Sequence, residues 1–237
     1  MDNRQSVIIL HGWQSSKENW SRVKEIIEKE EVKVFVPDLP GFKEETKLEK
    51  AWNLENYLNW LENFIETKKN SGEITEPFFL LGHSFGGRIS IKFSVKNPQK
   101  LKGLILVSSA GIRHKKKPSK LIPYLKKLSF FPFFPFLRKI YYKFIIRKTD
   151  YLRVEGVLKE TFKKTIEEDL TPFLSKIKVK TLILWGDRDK ITLPADAYLM
   201  KEKIENSKLE IMEGINHTPY LENPELLSRK ILEFISL

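Results

Sequence analysis

FFLLGHSFGGRISI, residues 78–91, contains the pattern Gly-x-Ser-x-Gly between an apolar, strand-like block and a run compatible with a helix. A serine in a sharp turn from a strand to a helix crowds the residues two before and two after it, where only glycine-sized side chains fit. Gly82 and Gly86 occupy these two positions around Ser84. The stretch therefore predicts a strand–turn–helix unit with the Ser84 hydroxyl above the carboxyl edge of a sheet; a tight turn without chemistry is the alternative interpretation.

On either side of this unit, short apolar blocks alternate with longer segments of helical periodicity. Blocks bounded by Gly, Pro, Asp or Ser are typical of strands buried on both faces. Their alternation with helices predicts the α/β fold class, with a mostly parallel, doubly wound sheet of about six strands and helices on both of its faces. The predicted strands are Ser6–Leu10, Val32–Pro37, Phe78–Gly82, Leu101–Ser108, Thr181–Trp185 and Leu209–Met212, and the predicted helices are Trp20–Glu30, Leu54–Lys68, Phe85–Lys96, Pro194–Glu205 and Pro224–Ile235.

The alternation is interrupted after Gly111, where roughly 60 residues separate two strands that should be neighbours, far more than the usual ~2–6-residue connection. We therefore predict an inserted helical lid over residues 112–170, and an α/β core formed by residues 1–111 and 171–237. Short helices are expected within the insert at Leu121–Leu128, Leu137–Ile146 and Val154–Thr165.

The insert also contains the charge imbalance of the whole protein. From Gly111 to Asp150 there are 12 Lys and Arg residues and one acid, which accounts for the net charge of +11. Five phenylalanines lie among its prolines and lysines, and we expect them to form an apolar ceiling over the serine that contacts substrate: Phe130, Phe131, Phe133, Phe134 and Phe136. A second interpretation, compatible with the first, is peripheral docking on an anionic membrane. Nucleic-acid binding is a third interpretation, and we do not expect it.

The composition argues against several other classes of protein. With 41% hydrophobic and 31% charged residues, the chain is neither collagen-like nor wholly disordered. No apolar run reaches the ~20 residues of a membrane-spanning helix, and the amino terminus lacks the pattern of a signal peptide. The lack of cysteine removes disulfides and thiolate metal sites, and four histidines argue against a multi-histidine metal centre. We expect a cytoplasmic protein without a metal or organic cofactor.

A serine hydroxyl becomes a good nucleophile only when a base takes its proton and a carboxylate orients that base. His217 follows the last predicted strand, which places it at the same sheet edge as Ser84 and makes it the candidate base. Asp187 and Asp189 both follow the fifth predicted strand, and local physics does not separate them as the candidate acid. The order Ser, Asp, His along the chain matches one of the known convergent triads.

Two backbone amides are candidates for stabilising an oxyanion. The glycine between His11 and Trp13 lets the backbone after the first strand approach a reacting carbonyl, so the Trp13 amide can act beside the Phe85 amide at the start of the helix. We expect His11 to shape this backbone and His83 to be packed, pointing away from the serine in a strand-like alternation.

The chain resembles the α/β-hydrolase superfamily, and within it the small lidded serine hydrolases that include carboxylesterases, enol-lactonases and carbon–carbon bond hydrolases. The resemblance covers nearly the whole chain and rests on five motifs: His11-Gly12, Asp38–Phe42, Gly82–Gly87, Trp185–Asp189, and His217 with Glu222-Asn223-Pro224. It implies that Asp189 is the acid, and that the insert after Gly111 corresponds to the helical lid of that family.

Two expectations follow from a departure from the family pattern. The family normally begins with an antiparallel hairpin, whereas only five residues precede Ser6 here. We therefore expect an all-parallel core of six strands that leaves Val32–Val36 as an open edge, where a second copy could pair. The oligomeric state is accordingly expected to be a monomer or a homodimer.

Together these observations predict a serine hydrolase that cleaves small carboxylic esters with a largely apolar acyl group through an acyl-enzyme. Carbon–carbon bond hydrolysis or perhydrolysis on the same triad is an alternative. A binding or receptor protein of the same fold with negligible turnover is another.

Overall fold

The computed structural model of the protein describes residues 4–113 and 156–236. Within these ranges six strands form one sheet in the order β2-β1-β3-β4-β5-β6, and every neighbouring pair is parallel. This confirms the prediction of a six-stranded parallel sheet. The strands are β1 Ser6–Leu10, β2 Lys33–Phe35, β3 Phe78–His83, β4 Leu101–Val107, β5 Thr181–Gly186 and β6 Ser207–Met212.

The helices agree with their predicted positions to within two residues at most ends. They are α1 Ser21–Glu28, α2 Leu54–Asn70, α3 Phe85–Lys96, α4 Gly156–Glu167, α5 Thr171–Leu174, α6 Pro194–Lys203, α7 Pro219–Glu222 and α8 Pro224–Ile235, with short 3-10 helices at Lys17–Trp20, Glu44–Thr46 and Pro98–Lys100. Prediction from periodicity missed α5 and α7, because a single turn is too short to show a repeat.

The two faces of the sheet pack against different helices. Alternate residues of β1 and β3 point to opposite faces, as the strand repeat of two requires. Ile8 and Leu80 pack with helices α2, α3 and α6 on one face. Ile9 and Phe79 pack with α1 and α8 on the other. The prediction of helices on both faces is confirmed, and the parallel sheet is buried between two apolar layers.

Strand β2 lies at one edge of the sheet, as expected, but it is shorter than predicted. Three residues, Lys33–Phe35, pair with β1, whereas the sequence predicted Val32–Pro37. Pro37 has no N–H to donate to a ladder, so the strand ends before it. Pairing of a second copy at this edge stays a prediction.

Part of the predicted insert is described. Helix α4, Gly156–Glu167, falls where Val154–Thr165 was predicted to be helical. The backbone after α4 returns to the core, where the Leu170 amide donates to the Gly111 carbonyl over 2.9 Å. The predicted helices Leu121–Leu128 and Leu137–Ile146 lie outside the described residues, and the lid boundaries 112–170 stay a prediction. Among the helices that the structure describes, none has the length and apolar character to cross a bilayer.

Candidate active site

The candidate nucleophile Ser84 lies between the end of β3 and the start of α3. Its backbone has φ 49° and ψ −113°, a strained conformation for a residue with a side chain. A Cβ atom on Gly86 would lie 2.1 Å from the Leu10 carbonyl oxygen, and one on Gly82 would lie 2.5 Å from the Ser90 Oγ. Only glycine fits at both positions, so the predicted sharp turn is the one that the structure contains.

Three side chains from distant parts of the sequence form a continuous hydrogen-bonded chain at the carboxyl edge of the sheet. The Ser84 Oγ lies 3.1 Å from the His217 Nε2. The His217 Nδ1 lies 2.8 Å from the Asp189 Oδ2. The structure therefore brings together the three predicted site residues in the arrangement that transfers a proton from a serine to an imidazole.

Asp189 is held by more than the histidine. Its Oδ1 accepts from the amides of Ile191 at 2.8 Å and Thr192 at 3.1 Å, and its Oδ2 lies 2.8 Å from the Thr192 hydroxyl. Burial by itself would raise the pKa of Asp189, but the hydrogen bond and charge of His217 and these donors outweigh burial and lower it. Asp187, the other candidate acid, is exposed. The tertiary structure thus separates two aspartates that local sequence did not.

The backbone around His217 is fixed by one carboxylate. Glu222 Oε2 accepts from the amide and the side-chain amide of Asn216, both at 2.9 Å. Its Oε1 accepts from the amide of Thr218 at 3.2 Å and from the Thr218 hydroxyl at 3.0 Å. Both neighbours of His217 are therefore tied to the same side chain, which limits the movement of the imidazole.

His83 packs beneath the site and also bonds to it. Its Nε2 donates to the His217 carbonyl oxygen over 2.9 Å, and its ring contacts those of Trp20 and Tyr220 edge to face. Burial, with the adjacent imidazole of His217 as a smaller cause, lowers the pKa of His83 to about 3, so the ring is neutral near neutral pH. The sequence predicted that His83 is packed, but not that it contacts the backbone of the candidate base.

His11 shapes the backbone after β1, as predicted. Its Nδ1 donates to the Gly12 carbonyl over 2.8 Å, and its Nε2 accepts from the Leu39 amide over 2.9 Å. The Ser15 amide donates to the same Gly12 carbonyl. Because a trans peptide is planar, holding this carbonyl also fixes the Trp13 N–H, which points to the opposite side.

The two candidate oxyanion donors belong to backbone segments next to the serine. A Cβ atom on Gly12 would lie 3.4 Å from the Cβ of Ser84, so the Gly12–Trp13 peptide runs close to the candidate nucleophile. Phe85 is the first residue of α3, and an amide at that position has no acceptor within its own helix. The Trp13 and Phe85 rings meet edge to face with centroids 5.1 Å apart.

A cavity of about 320 Å³ opens beside Ser84. Most of its walls are apolar, but they include two guanidinium groups and one carboxylate. The lining residues are Trp13, Ser84, Phe85, Arg88, Ala110, Gly111, Ile112, Arg113, Phe162, Ile166, Ile191, Thr192 and Asp196. The predicted substrate contacts Phe130, Phe131, Phe133, Phe134 and Phe136 lie outside the described residues.

Sequence reasoning missed the contacts by which four residues shape this site: Thr192, Glu222, His83 and Arg88. Thr192, Glu222 and His83 hold their neighbours through contacts across a loop or between segments far apart in the chain. No local sequence pattern predicts such contacts. Arg88 had a usable signal, because it lies four residues after Ser84 and so shares its helix face.

Among the described residues, no group of three His, Cys, Asp or Glu side chains is arranged to hold a metal ion.

This parallel sheet has a serine on a strained strand-to-helix turn. The serine is hydrogen-bonded to a histidine, the histidine is hydrogen-bonded to an aspartate, and both of these residues follow later strands. This arrangement defines an α/β-hydrolase. The chain belongs to the serine aminopeptidase S33 family, whose model matches residues 1–224. The protein is therefore a hydrolase of the α/β-hydrolase superfamily.

Relatives with assigned names include lipases. The chain is 28% identical to Lipase 1 of Psychrobacter immobilis over 236 residues, covering 91% of this chain and 72% of that protein. It is 23% identical to Monoacylglycerol lipase ABHD6 of Homo sapiens over 262 residues, covering 99% and 76%. Among solved structures, a putative lipase from Acinetobacter baumannii superimposes with a TM-score of 0.72 at 25% identity, covering 99% of this chain and 84% of that one.

Proposed function

We propose that this protein is a serine hydrolase that cleaves carboxylic esters with a largely apolar acyl group. The observation that carries the proposal is the hydrogen-bonded chain Ser84–His217–Asp189, with distances of 3.1 Å and 2.8 Å. The names of the lipase relatives support ester bonds as the target.

In the proposed reaction the Ser84 oxygen attacks the ester carbonyl carbon while the His217 Nε2 takes the hydroxyl proton. Asp189 keeps the imidazole oriented and stabilises its protonated form. The amides of Trp13 and Phe85 receive the negative charge that develops on the carbonyl oxygen. His217 then gives its proton to the leaving alcohol, and an acyl-enzyme on Ser84 remains.

Water completes the cycle by the same groups in reverse. His217 takes a proton from the water as it attacks the acyl carbon, and returns it to the Ser84 oxygen when the carboxylic acid leaves. Apart from the ester and water, both halves of this proposed cycle use only the chain's own side chains and backbone.

The residues that line the cavity support an apolar acyl group. Trp13, Phe85, Ile112, Phe162 and Ile191 supply apolar wall area beside the serine. An acyl chain bound against them loses contact with water, which favours binding in proportion to the apolar area covered. Phe85 is 4% exposed and belongs to the core, so this part of the wall is fixed.

The proposal is tested by labelling with a fluorophosphonate and by a series of p-nitrophenyl esters of increasing acyl length. We expect labelling of the wild type, no labelling of Ser84→Ala, and rapid ester turnover by the wild type only. Labelling without turnover would favour a binding protein of this fold. Faster cleavage of vinylogous diketones than of any ester would favour the carbon–carbon hydrolase alternative.

We also propose that the basic, aromatic insert makes peripheral contact with anionic membranes. The support is its sequence, in which the net charge of +11 coincides with the five phenylalanines Phe130–Phe136. Each Lys or Arg near an anionic surface contributes about 1 kcal/mol. Pelleting with phosphatidylglycerol vesicles should be salt-sensitive and should disappear when residues 130–136 are deleted; no pelleting at low salt contradicts the idea.

A further inference from the structure

The cavity beside Ser84 contains a feature that an ester site for purely apolar chains does not need. Two of its lining residues, Arg88 and Arg113, carry guanidinium groups. Arg88 lies in the first turn of α3, four residues after Ser84 along the chain, and only 4% of its surface is exposed. A buried cation this close to a nucleophile calls for a physical reason, because burial without a partner is costly.

The Arg88 guanidinium is nearly unpartnered in the part of the chain that the structure describes. Its Nη2 donates to the Glu168 carbonyl oxygen. Among the described residues, its Nε has no hydrogen-bond partner and no carboxylate forms an ion pair with it. Burial lowers the pKa of Arg88 to about 10, with Glu168 and Asp169 opposing that change, so the group is still charged at neutral pH. The site therefore holds a desolvated positive charge, and the Nε–H of this group has no acceptor among the described residues.

The nearby carboxylates are engaged elsewhere. Glu168 accepts from Lys92 over 2.9 Å, and Asp169 accepts from the Thr171 hydroxyl over 2.7 Å. Asp196, the acid among the lining residues of this cavity, has interactions of its own. Among the described residues that line the cavity, two are cationic and one is anionic, which favours a ligand with a negative charge.

We propose that Arg88, assisted by Arg113, forms a subsite for a carboxylate at the far end of the acyl chain. This rests on the proposed ester hydrolysis at Ser84. The substrate class is then an ester whose acyl chain is apolar next to the ester carbonyl and ends in a carboxylate. A guanidinium fork suits this partner because it can donate two parallel hydrogen bonds to the two carboxylate oxygens.

The experiment compares two esters of equal acyl length, p-nitrophenyl hexanoate and the mono-p-nitrophenyl ester of adipic acid. They differ at the chain end, which is a methyl group in one and a carboxylate in the other. The quantity measured is the ratio of kcat/KM for the adipate ester to that for the hexanoate ester. Wild type, Arg88→Gln and the control Lys92→Gln are compared; Lys92 is on the same helix and also binds Glu168, but it does not line the cavity.

We expect a wild-type ratio above one, a decrease of about tenfold or more in Arg88→Gln, as for loss of a charge-assisted hydrogen bond, and an unchanged ratio in Lys92→Gln. A ratio far below one in the wild type overturns the subsite even if Arg88→Gln does not fold. Proportional loss of both activities in Arg88→Gln means that Arg88 only supports the Glu168 segment. Hydrolysis of neither ester contradicts the proposed function itself, and the subsite with it.

Discussion

Two segments meet at the candidate site and are held in different ways. The serine turn, residues 82–87, is fixed by close contacts with backbone and small side chains that leave no room for a Cβ atom at its glycines. The histidine segment, residues 214–222, is fixed by side-chain hydrogen bonds to Glu222 and His83 and by the bond from His217 to Asp189. The nucleophile is thus positioned by sterics, and the base by polar contacts that single substitutions can remove one at a time.

This difference separates the consequences of mutation. The close contacts at the glycines of the serine turn act together, so a larger side chain at one of these glycines affects the fold and the chemistry at once. Each hydrogen bond to the histidine segment restricts the movement of the imidazole. Loss of one such bond should therefore lower activity in part while the protein stays folded. We expect the loss of activity to decrease in the order Ser84, Asp189, Glu222 and His83.

Removal of the nucleophile should have the largest effect. Ser84→Ala is expected to lower kcat for a p-nitrophenyl ester by at least about 10⁴-fold, because no other group can form the acyl-enzyme. Ser94→Ala is the matched control: that hydroxyl is on the same helix but donates to the Ile91 carbonyl. Near-normal turnover by Ser84→Ala would mean that the bond-breaking step uses a different group.

Neutralising the acid should be nearly as severe. Asp189→Asn is expected to reduce kcat by about 10³–10⁴-fold, because an amide no longer holds the imidazole in the correct tautomer. Asp187→Asn, two residues earlier and exposed, should leave turnover almost unchanged. Steady-state kinetics of the two purified variants decides between them, and the reverse result would assign the acid to Asp187.

Removing a contact that holds the histidine segment should lower kcat by a smaller factor. Glu222→Ala removes the acceptor for Asn216 and Thr218 and should lower kcat by roughly 10–100-fold, since small displacements of a catalytic group cost this much. Glu213→Ala removes an exposed carboxylate nearby and serves as the control. Melting temperatures should show that both variants are folded; equal activities of the two would argue against a positioning role for Glu222.

The smallest effect on activity is expected at His83. His83→Phe loses the hydrogen bond to the His217 carbonyl and should reduce kcat severalfold, whereas His83→Gln keeps an N–H donor and should retain more activity. The variants also differ from wild type in how stability depends on pH. The folded pKa of about 3 lies below the unfolded value of 6.5, so the unfolded chain binds a proton that folded His83 does not.

Wild-type stability should therefore decrease as the pH falls through this window, by up to about 1.4 kcal/mol per pH unit from this one group. Both His83 variants should show a flatter dependence between pH 6.5 and 3. Urea midpoints measured across that range test the expectation. Parallel curves for wild type and His83→Phe would show that His83 takes up its proton equally in both states.

The sequence alone determined the sheet and the serine turn because both depend on local or periodic features. Short apolar blocks predicted six parallel strands, and glycines two residues either side of Ser84 predicted the turn. The position of β2 at the edge of the sheet was also predicted. Its length was not, because pairing depends on the neighbouring strand β1 as well as on the residues of β2.

Only the tertiary structure decided what surrounds the serine. Asp187 and Asp189 have the same local chemistry, and the burial of Asp189 against Thr192 and His217 distinguishes them. The partners of Glu222 and His83 likewise arise where separate segments converge, as does the position of the Arg88 guanidinium in the cavity wall. Hydrogen bonds between residues distant in the chain leave no periodic pattern in the sequence, so they become visible only when the chain is folded.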